Sequence, residues 1–204
     1  MVGSTKNLQE KIMRPSRAEA EKAVEVLLRW AGDNPERSGL KDTPKRLVEA
    51  FEEYFQGYTQ DASKELSKTF EDITGYKAPI IIRDIPFESH CEHHIAPFIG
   101  KVWVAYYPGE KVCGLSKIAR VVDIYAKRLQ NQEMLTQQIA NEIYTSLDAK
   151  GVAVGIDAAH QCMSTRGVHK CGAYTITTHF LGAYETDMTL QNQFMNILTN
   201  RIGK

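Results

Sequence analysis

Residues 79–109 read PIIIRDIPFESHCEHHIAPFIGKVWVAYYPG. The β-branched run Ile80-Ile81-Ile82 with Ile85 predicts a strand over Pro79–Ser89, with Pro86 marking an irregularity. Phe98–Tyr107 predicts a second strand, with Val102 and Val104 on one face and Trp103 and Ala105 on the other, and Pro108-Gly109 closes it with a turn. Between them, the loop His90–Pro97 opens with His90-Cys91-Glu92-His93-His94. The spacing Cys91-x-x-His94 lets one short turn aim a sulfur and a nitrogen at a single ion. His93, lying between them, cannot easily join that pair and is left for other work, such as moving a proton.

Downstream, Ile118, Val121, Val122 and Tyr125 recur at helical spacing within Ser116–Arg128, and Leu135, Ile139, Ile143 and Leu147 do so within Gln132–Leu147. Gly151–His160 alternates Val152, Val154, Ile156 and Ala158, the period of a half-buried strand. Cys171–Leu181 is a fourth strand, with Tyr174, Ile176, Thr178 and Phe180 on one side, and a closing helix covers Thr189–Leu198. Strands arriving in consecutive pairs predict an antiparallel four-stranded sheet with helices on one face, an α+β fold. Such a sheet leaves edges and a face to cover, so a symmetric homo-oligomer is expected.

Upstream, residues 1–15 are polar and are expected to be flexible. Ser16-Arg17-Ala18-Glu19 is a capping-box pattern, followed by Ala20, Val24, Leu27, Leu28 and Ala31 at helical spacing, and Gly32 can end that helix. Thr43-Pro44 starts a second helix with apolar face Leu47, Val48, Phe51, Tyr54 and Phe55, ended by Gly57. Residues 58–76 carry few signals and read as a connection. The expected organisation is a flexible start (1–15), an N-terminal helical region (16–76) and a sheet domain (77–204).

The chain has 204 residues, 43% hydrophobic and 25% charged, which suits one substantial globular domain. Its 25 basic residues balance 25 acidic ones, which argues against bulk attraction to nucleic acid or to an anionic membrane. No apolar run approaches the ~20 residues of a membrane span. Met1–Arg14 lacks the apolar core of a secretory signal, so the cytoplasm is the expected compartment. Four cysteines in a chain of this length are not a disulfide framework. All of them, with all six histidines, fall between His90 and His179, a clustering that favours a metal or proton-transfer site.

A third ligand for Cys91 and His94 is offered by His160-Gln161-Cys162 at the end of the third strand. Two thiolates and one imidazole are a stable zinc set, and three protein ligands leave a fourth position for water, the pattern of a catalytic metal. A closed structural site, with Cys113, Cys171 or His160 as fourth ligand, is the alternative. His93 and His160, each within two residues of a candidate ligand, suit proton transfer, whereas His169 and His179 read as structural. Gly114-Leu115-Ser116-Lys117 opens a helix with free N–H groups, a hydroxyl and an ammonium, an anion site that Arg120 on the same face and Arg166 in a later loop can join. Taken singly each charge is an ordinary solvated side chain; together they point to a phosphorylated substrate. Gln132-Glu133 fits either a helix dipole or a guanine edge, and sequence physics does not choose between them.

Cys91-Glu92-His93-His94, Gly114-Leu115-Ser116-Lys117 with Arg120, Gln132-Glu133, and His160-Gln161-Cys162 with Arg166 together resemble the GTP cyclohydrolase I family, from about Asn34 to Leu198. The resemblance implies a tunnelling fold (T-fold) whose subunits build an oligomeric barrel, typically a homodecamer with active sites at subunit interfaces. It implies conversion of GTP and water to formate and 7,8-dihydroneopterin triphosphate, an early step of tetrahydrofolate or other pterin biosynthesis. By position, Cys91, His94 and Cys162 would hold one zinc ion per subunit, which activates the water. His160, His93 and Ser116 would be catalytic, His160 protonating the imidazole-ring nitrogen and His93 serving as acid and base around the ribose. Glu133, with Gln132 beside it, would hold the guanine edge. Ser116, Lys117, Arg120, Arg166 and, in Thr43-Pro44-Lys45-Arg46, Arg46 would hold the triphosphate. The chain departs from the family pattern at Glu49, His90, Asn131 and Met134. Two rival readings are another tunnelling-fold enzyme acting on a pterin or deazapurine, and a non-enzymatic zinc-stabilised assembly. Iron or manganese in place of zinc is a further variant.

Overall fold

The computed structural model describes residues 13–70, 76 and 78–200. The expected flexible start lies mostly outside the described residues, as do residues 71–75 of the expected connection. The chain divides into two compact units between Glu53 and Tyr54.

The first unit holds α1 (Arg17–Trp30) and most of α2 (Thr43–Tyr54). The capping box forms as the sequence predicts: Glu19 N–H donates to Ser16 Oγ at 3.3 Å, and Ser16 N–H donates to the Glu19 carboxylate at 2.9 Å. Gly32 follows the helix at φ 95°, a left-handed conformation that suits glycine. Arg17 binds Glu21 on its own helix and reaches Glu49 and Glu52 on α2 at 3.1 and 3.4 Å.

The second unit opens with a 3-10 turn (Gln56–Thr59), α3 (Ala62–Leu66) and β1 (Thr69–Phe70). There follow β2 (Ile80–Cys91), β3 (Pro97–Tyr107), β4 (Val112–Cys113), α4 (Leu115–Ala126), β5 (Leu129–Gln130), α5 (Gln132–Ser146), β6 (Gly151–His160), α6 (Gln161–Ser164), β7 (Thr175–Gly182), α7 (Ala183–Thr186) and α8 (Met188–Thr199). The architecture is α+β. Strands β2, β3, β6 and β7 pair antiparallel in that order, as the alternation predicts.

Several expectations need correction. Among the described residues the sheet has five strands, because β5, two residues long, adds in parallel to the end of β2 through His90↔Leu129 and Cys91↔Gln130. A strand that short has no period to read. Helices cover both faces of the sheet. Val102, Val104 and Tyr106 of β3 and Val152, Val154 and Ile156 of β6 face the core shared with α4 and α5. Trp103, Ala105 and Ala153 face the other way and pack with Tyr184, Phe194 and Leu198 of α7 and α8. Gly155 permits that approach, since a Cβ there would lie 2.1 Å from Leu198 Cδ1. The irregularity in β2 falls between Ile82 and Ile85, where Asp84 takes φ 59°, and Pro86 pairs regularly with Lys101. There β2 is an edge, so a proline without an N–H breaks no second ladder. The stretch read as a connection contains α3, whose Ala62 and Leu66 are buried in the main core. The fourth strand starts at Thr175 rather than Cys171.

Candidate active site

β2 ends on Cys91 and the chain turns back at once. Cys91 O accepts from His94 N–H and Ile95 N–H at 3.3 and 2.9 Å, and Cys91 N–H donates to Ala96 O at 2.9 Å. The turn brings His94 Nδ1 to 3.5 Å from Cys91 Sγ. On the neighbouring strand, Phe98 pairs with His160, so β6 ends beside this turn and α6 carries Cys162 into it. One ligand atom from each of Cys91, His94 and Cys162 lies within 4.8 Å of the other two.

The chemistry of this donor set fits a soft divalent cation. Burial, and then the adjacent Cys91 sulfur, push the Cys162 thiol up from its ordinary pKa. Two neighbouring thiols resist ionising together, and a bound cation removes that cost. Among the described residues the group has three members; Cys113 and Cys171 stand outside it, and His160 is engaged elsewhere. Arg166 sits at the rim, its guanidinium donating to His94 Nε2 at 2.9 Å.

His160 lies flat on Phe98, with ring centroids 4.6 Å apart and planes 2° from parallel. Its Nε2 is 2.8 Å from Gln132 Oε1. The Gln132 amide nitrogen donates to Ile156 O, Thr175 O and Thr177 Oγ1 at 3.1, 2.9 and 3.1 Å. Two of those partners are carbonyls, which only accept, so the amide orientation is fixed. Gln132 Oε1 must then accept, and His160 carries its hydrogen on Nε2, leaving Nδ1 as the nitrogen with a free lone pair. Burial lowers the pKa of His160, opposed by the charge of Glu133. Gln132 is itself 2% exposed, between α5 and the sheet, with its polar atoms engaged inside the fold. The structure thus separates the Gln132-Glu133 pair: Gln132 supports His160 from below, and only Glu133 is exposed, in the first turn of α5.

Asn131, one of the departures, is the N-cap of α5: Met134 N–H donates to its Oδ1 at 2.8 Å. Its amide donates in turn to Glu92 Oε1 at 2.8 Å, which ties the Cys91–His94 turn to the start of α5. Met134 is exposed. His93 points outward, its side chain 68% exposed, with Nε2 3.9 Å from Glu92. His90 is buried against Tyr54 and Phe55, at ring distances of 4.5 and 5.5 Å, and acts as a packing residue. Burial lowers its pKa.

Ser116 is exposed in the first turn of α4, which no side chain caps. Lys117 Nζ and Arg120 both bind Glu65 of α3, at 2.6 and 3.2 Å. Arg46 belongs to the N-terminal unit, where it pairs with Asp42 at 3.3 Å, and Glu49 there binds Arg17. Sequence reasoning missed Glu65, the Phe98 platform and the bridging role of Asn131. Only Asn131 left a local signal, an Asn three residues before an N–H at a helix start.

Residues 20–199 match the family described as GTP cyclohydrolase I. The chain is similar to GTP cyclohydrolase 1 of Hyphomonas neptunium, at 56% identity over 92% of this chain and 91% of that one. It is 54% identical to the protein of that name from Pelagibacter ubique, over 89% and 90% of the two chains. It is 52% identical to that of Allorhizobium ampelinum, over 98% and 100%. Among solved structures, the archaeosine synthase QueF-Like in its apo form covers 53% of this chain at 17% identity and a TM-score of 0.45, a likeness too slight to weigh. On the strength of the sequence matches, the chain belongs to the GTP cyclohydrolase I family and is an enzyme of that type.

Proposed function

We propose that this enzyme converts GTP and water to formate and 7,8-dihydroneopterin triphosphate, as the first step of a pterin pathway in the cytoplasm. The observation that carries the proposal is the convergence of two cysteine sulfurs and one imidazole with a histidine whose free nitrogen is fixed. Cys91, His94 and Cys162 would hold zinc, which when bound supplies Lewis acidity and an acidified water. His160 first takes a proton onto its free Nδ1 and then passes it to the imidazole-ring nitrogen of guanine, because its Nε2–H stays committed to Gln132. Phe98 keeps the ring in plane while it does so.

His93, exposed beside Glu92, serves as acid and base around the ribose. Glu133 accepts N–H bonds from the guanine edge, and Ser116 acts in the first turn of α4. Arg166, Lys117, Arg120 and Arg46 bind the triphosphate. Gln132, which the family resemblance puts beside Glu133 at the guanine edge, serves in this reading as a positioning residue for His160. The site is completed between subunits of a homo-oligomer, a decamer in this reading, since Lys117 and Arg120 of one chain face Glu65 and not the metal donors.

The test is direct. Metal-loaded protein incubated with GTP is expected to release formate in step with an oxidisable, fluorescent pterin. Metal-loaded, folded protein that yields neither product would remove the proposal.

A further inference from the structure

Lys117 and Arg120 are not free cations awaiting an anion. Both turn to one carboxylate oxygen, Glu65 Oε2, at 2.6 and 3.2 Å. Glu65 is set in place by its helix. Ala62 and Leu66 of α3 are buried at 4% and 0% exposure, Asp61 caps the helix by accepting from Ser63 N–H at 3.1 Å, and α3 packs against α4. The Lys117 side chain is 16% exposed, so its ammonium has little freedom to leave this partner. The two cations hold the Glu65 carboxyl below the usual range, Lys117 contributing most. Glu65 and Arg120 also line a cleft of about 590 Å³, bordered further by Lys64 and Lys127 and by Asp61 and Asp123, so a ligand can reach the ion pair from solvent on its Arg120 side.

We propose that Glu65 is an intramolecular competitor of the substrate's phosphates, so that phosphate binds to Lys117 and Arg120 by exchange with a carboxylate and not by addition to empty cations. The proposal rests on the assignment of Lys117 and Arg120 as triphosphate contacts. Exchange has two consequences. The tethered carboxylate keeps both cations oriented between turnovers and raises the concentration at which any phosphate, inorganic phosphate included, can occupy them. It also helps the triphosphate leave, because the product carries the same three phosphates as the substrate and Glu65 is ready to take its place.

The probe is inorganic tripolyphosphate, titrated calorimetrically into intact metal-loaded protein. Glu65→Gln removes the charge and nearly preserves the shape, and is expected to tighten binding about three- to tenfold, the scale of a partly exposed ion pair. Adding Lys117→Met to Glu65→Gln should erase the gain. With GTP, Glu65→Gln should lower KM and kcat together, since release slows as binding tightens. Should Glu65→Gln fold poorly, Glu65→Asp keeps the charge but shortens the reach, and a smaller tightening is expected. Unchanged or weaker tripolyphosphate binding in a folded variant would overturn the proposal and leave Glu65 as a mere support for the cations. Absence of binding to wild type and variant alike, with GTP turnover intact, would instead overturn the assignment of Lys117 and Arg120 and the proposal with it.

Discussion

The amide of Gln132 spends its N–H groups on Ile156 O, Thr175 O and Thr177 Oγ1, and only its oxygen is left for His160. A side chain so used governs which nitrogen of the neighbouring imidazole is basic. Gln132→Leu should therefore release the tautomer: nitrogen NMR of His160 is expected to change from the Nε2–H form to a mixture. Turnover of GTP should fall about 10–100-fold, the usual scale for a residue that orients a reacting one. Metal content should stay at the wild-type level. A loss of turnover with the tautomer unchanged would assign Gln132 a purely structural role. Two companion variants separate the functions of the strand end: Cys162→Ser should lose the metal, and His160→Ala should keep it while stalling the reaction early. If His160→Ala also lost the metal, Cys162 would be the wrong third ligand.

The start of α5 carries Glu133 and Gln132, and Asn131 caps it while holding Glu92 of the Cys91–His94 turn. Asn131→Ala should cost about 1 kcal/mol of stability from the lost cap, measured by denaturant unfolding. Asn131→Asp keeps a capping oxygen and favours the helix dipole, but sets a carboxylate against Glu92. It should retain most of that stability while disturbing the turn, seen as faster metal loss to a chelator. Equal stability of Asn131→Ala and wild type would show that the cap contributes nothing. Elements of this kind, with periodic faces and caps, were the legible part of the sequence: α1, α5, β6 and α8 lie within a residue or two of their expected bounds. What escaped reading lacks a period. β5 is two residues long, and α3 is barely more than one turn. The bend in β2 depends on Asp84 adopting a left-handed conformation that its name only permits. The second helical layer is hidden in the sequence because the Trp103 and Ala105 face of β3 does not by itself reveal that Ala153 and Gly155 on β6 are small enough to let α8 approach. In the site, Cys91, His94, Cys162 and His160 were legible from spacing. The pairing of Lys117 with Glu65 was not, since it joins residues 52 positions apart.

At the scale of the molecule, the sheet has, among the described residues, an open edge at β7 and another along most of β2. Tyr174, Ile176 and Ile99 are exposed large apolar residues of this sheet and its approach, the kind of surface that association buries. Sedimentation should therefore give a mass that is a multiple of the 23.0 kDa chain; a monomer would remove the basis for shared sites. A stronger test uses two inactive variants. On the proposed assignment, Cys162→Ser lacks a metal ligand and Lys117→Met lacks a phosphate contact. If each site draws its metal donors from one subunit and Lys117 from the next, oligomers unfolded and reassembled from the mixture will contain interfaces that unite an intact Cys162 with an intact Lys117. Those interfaces should recover a fraction of wild-type activity, while each variant reassembled alone stays inactive. A site built within one chain gives no such recovery, because every chain in the mixture is defective. Lys117 already faces Glu65 within its own chain, so recovery is the expected result, and its absence in verified mixed oligomers would place the whole site in a single subunit.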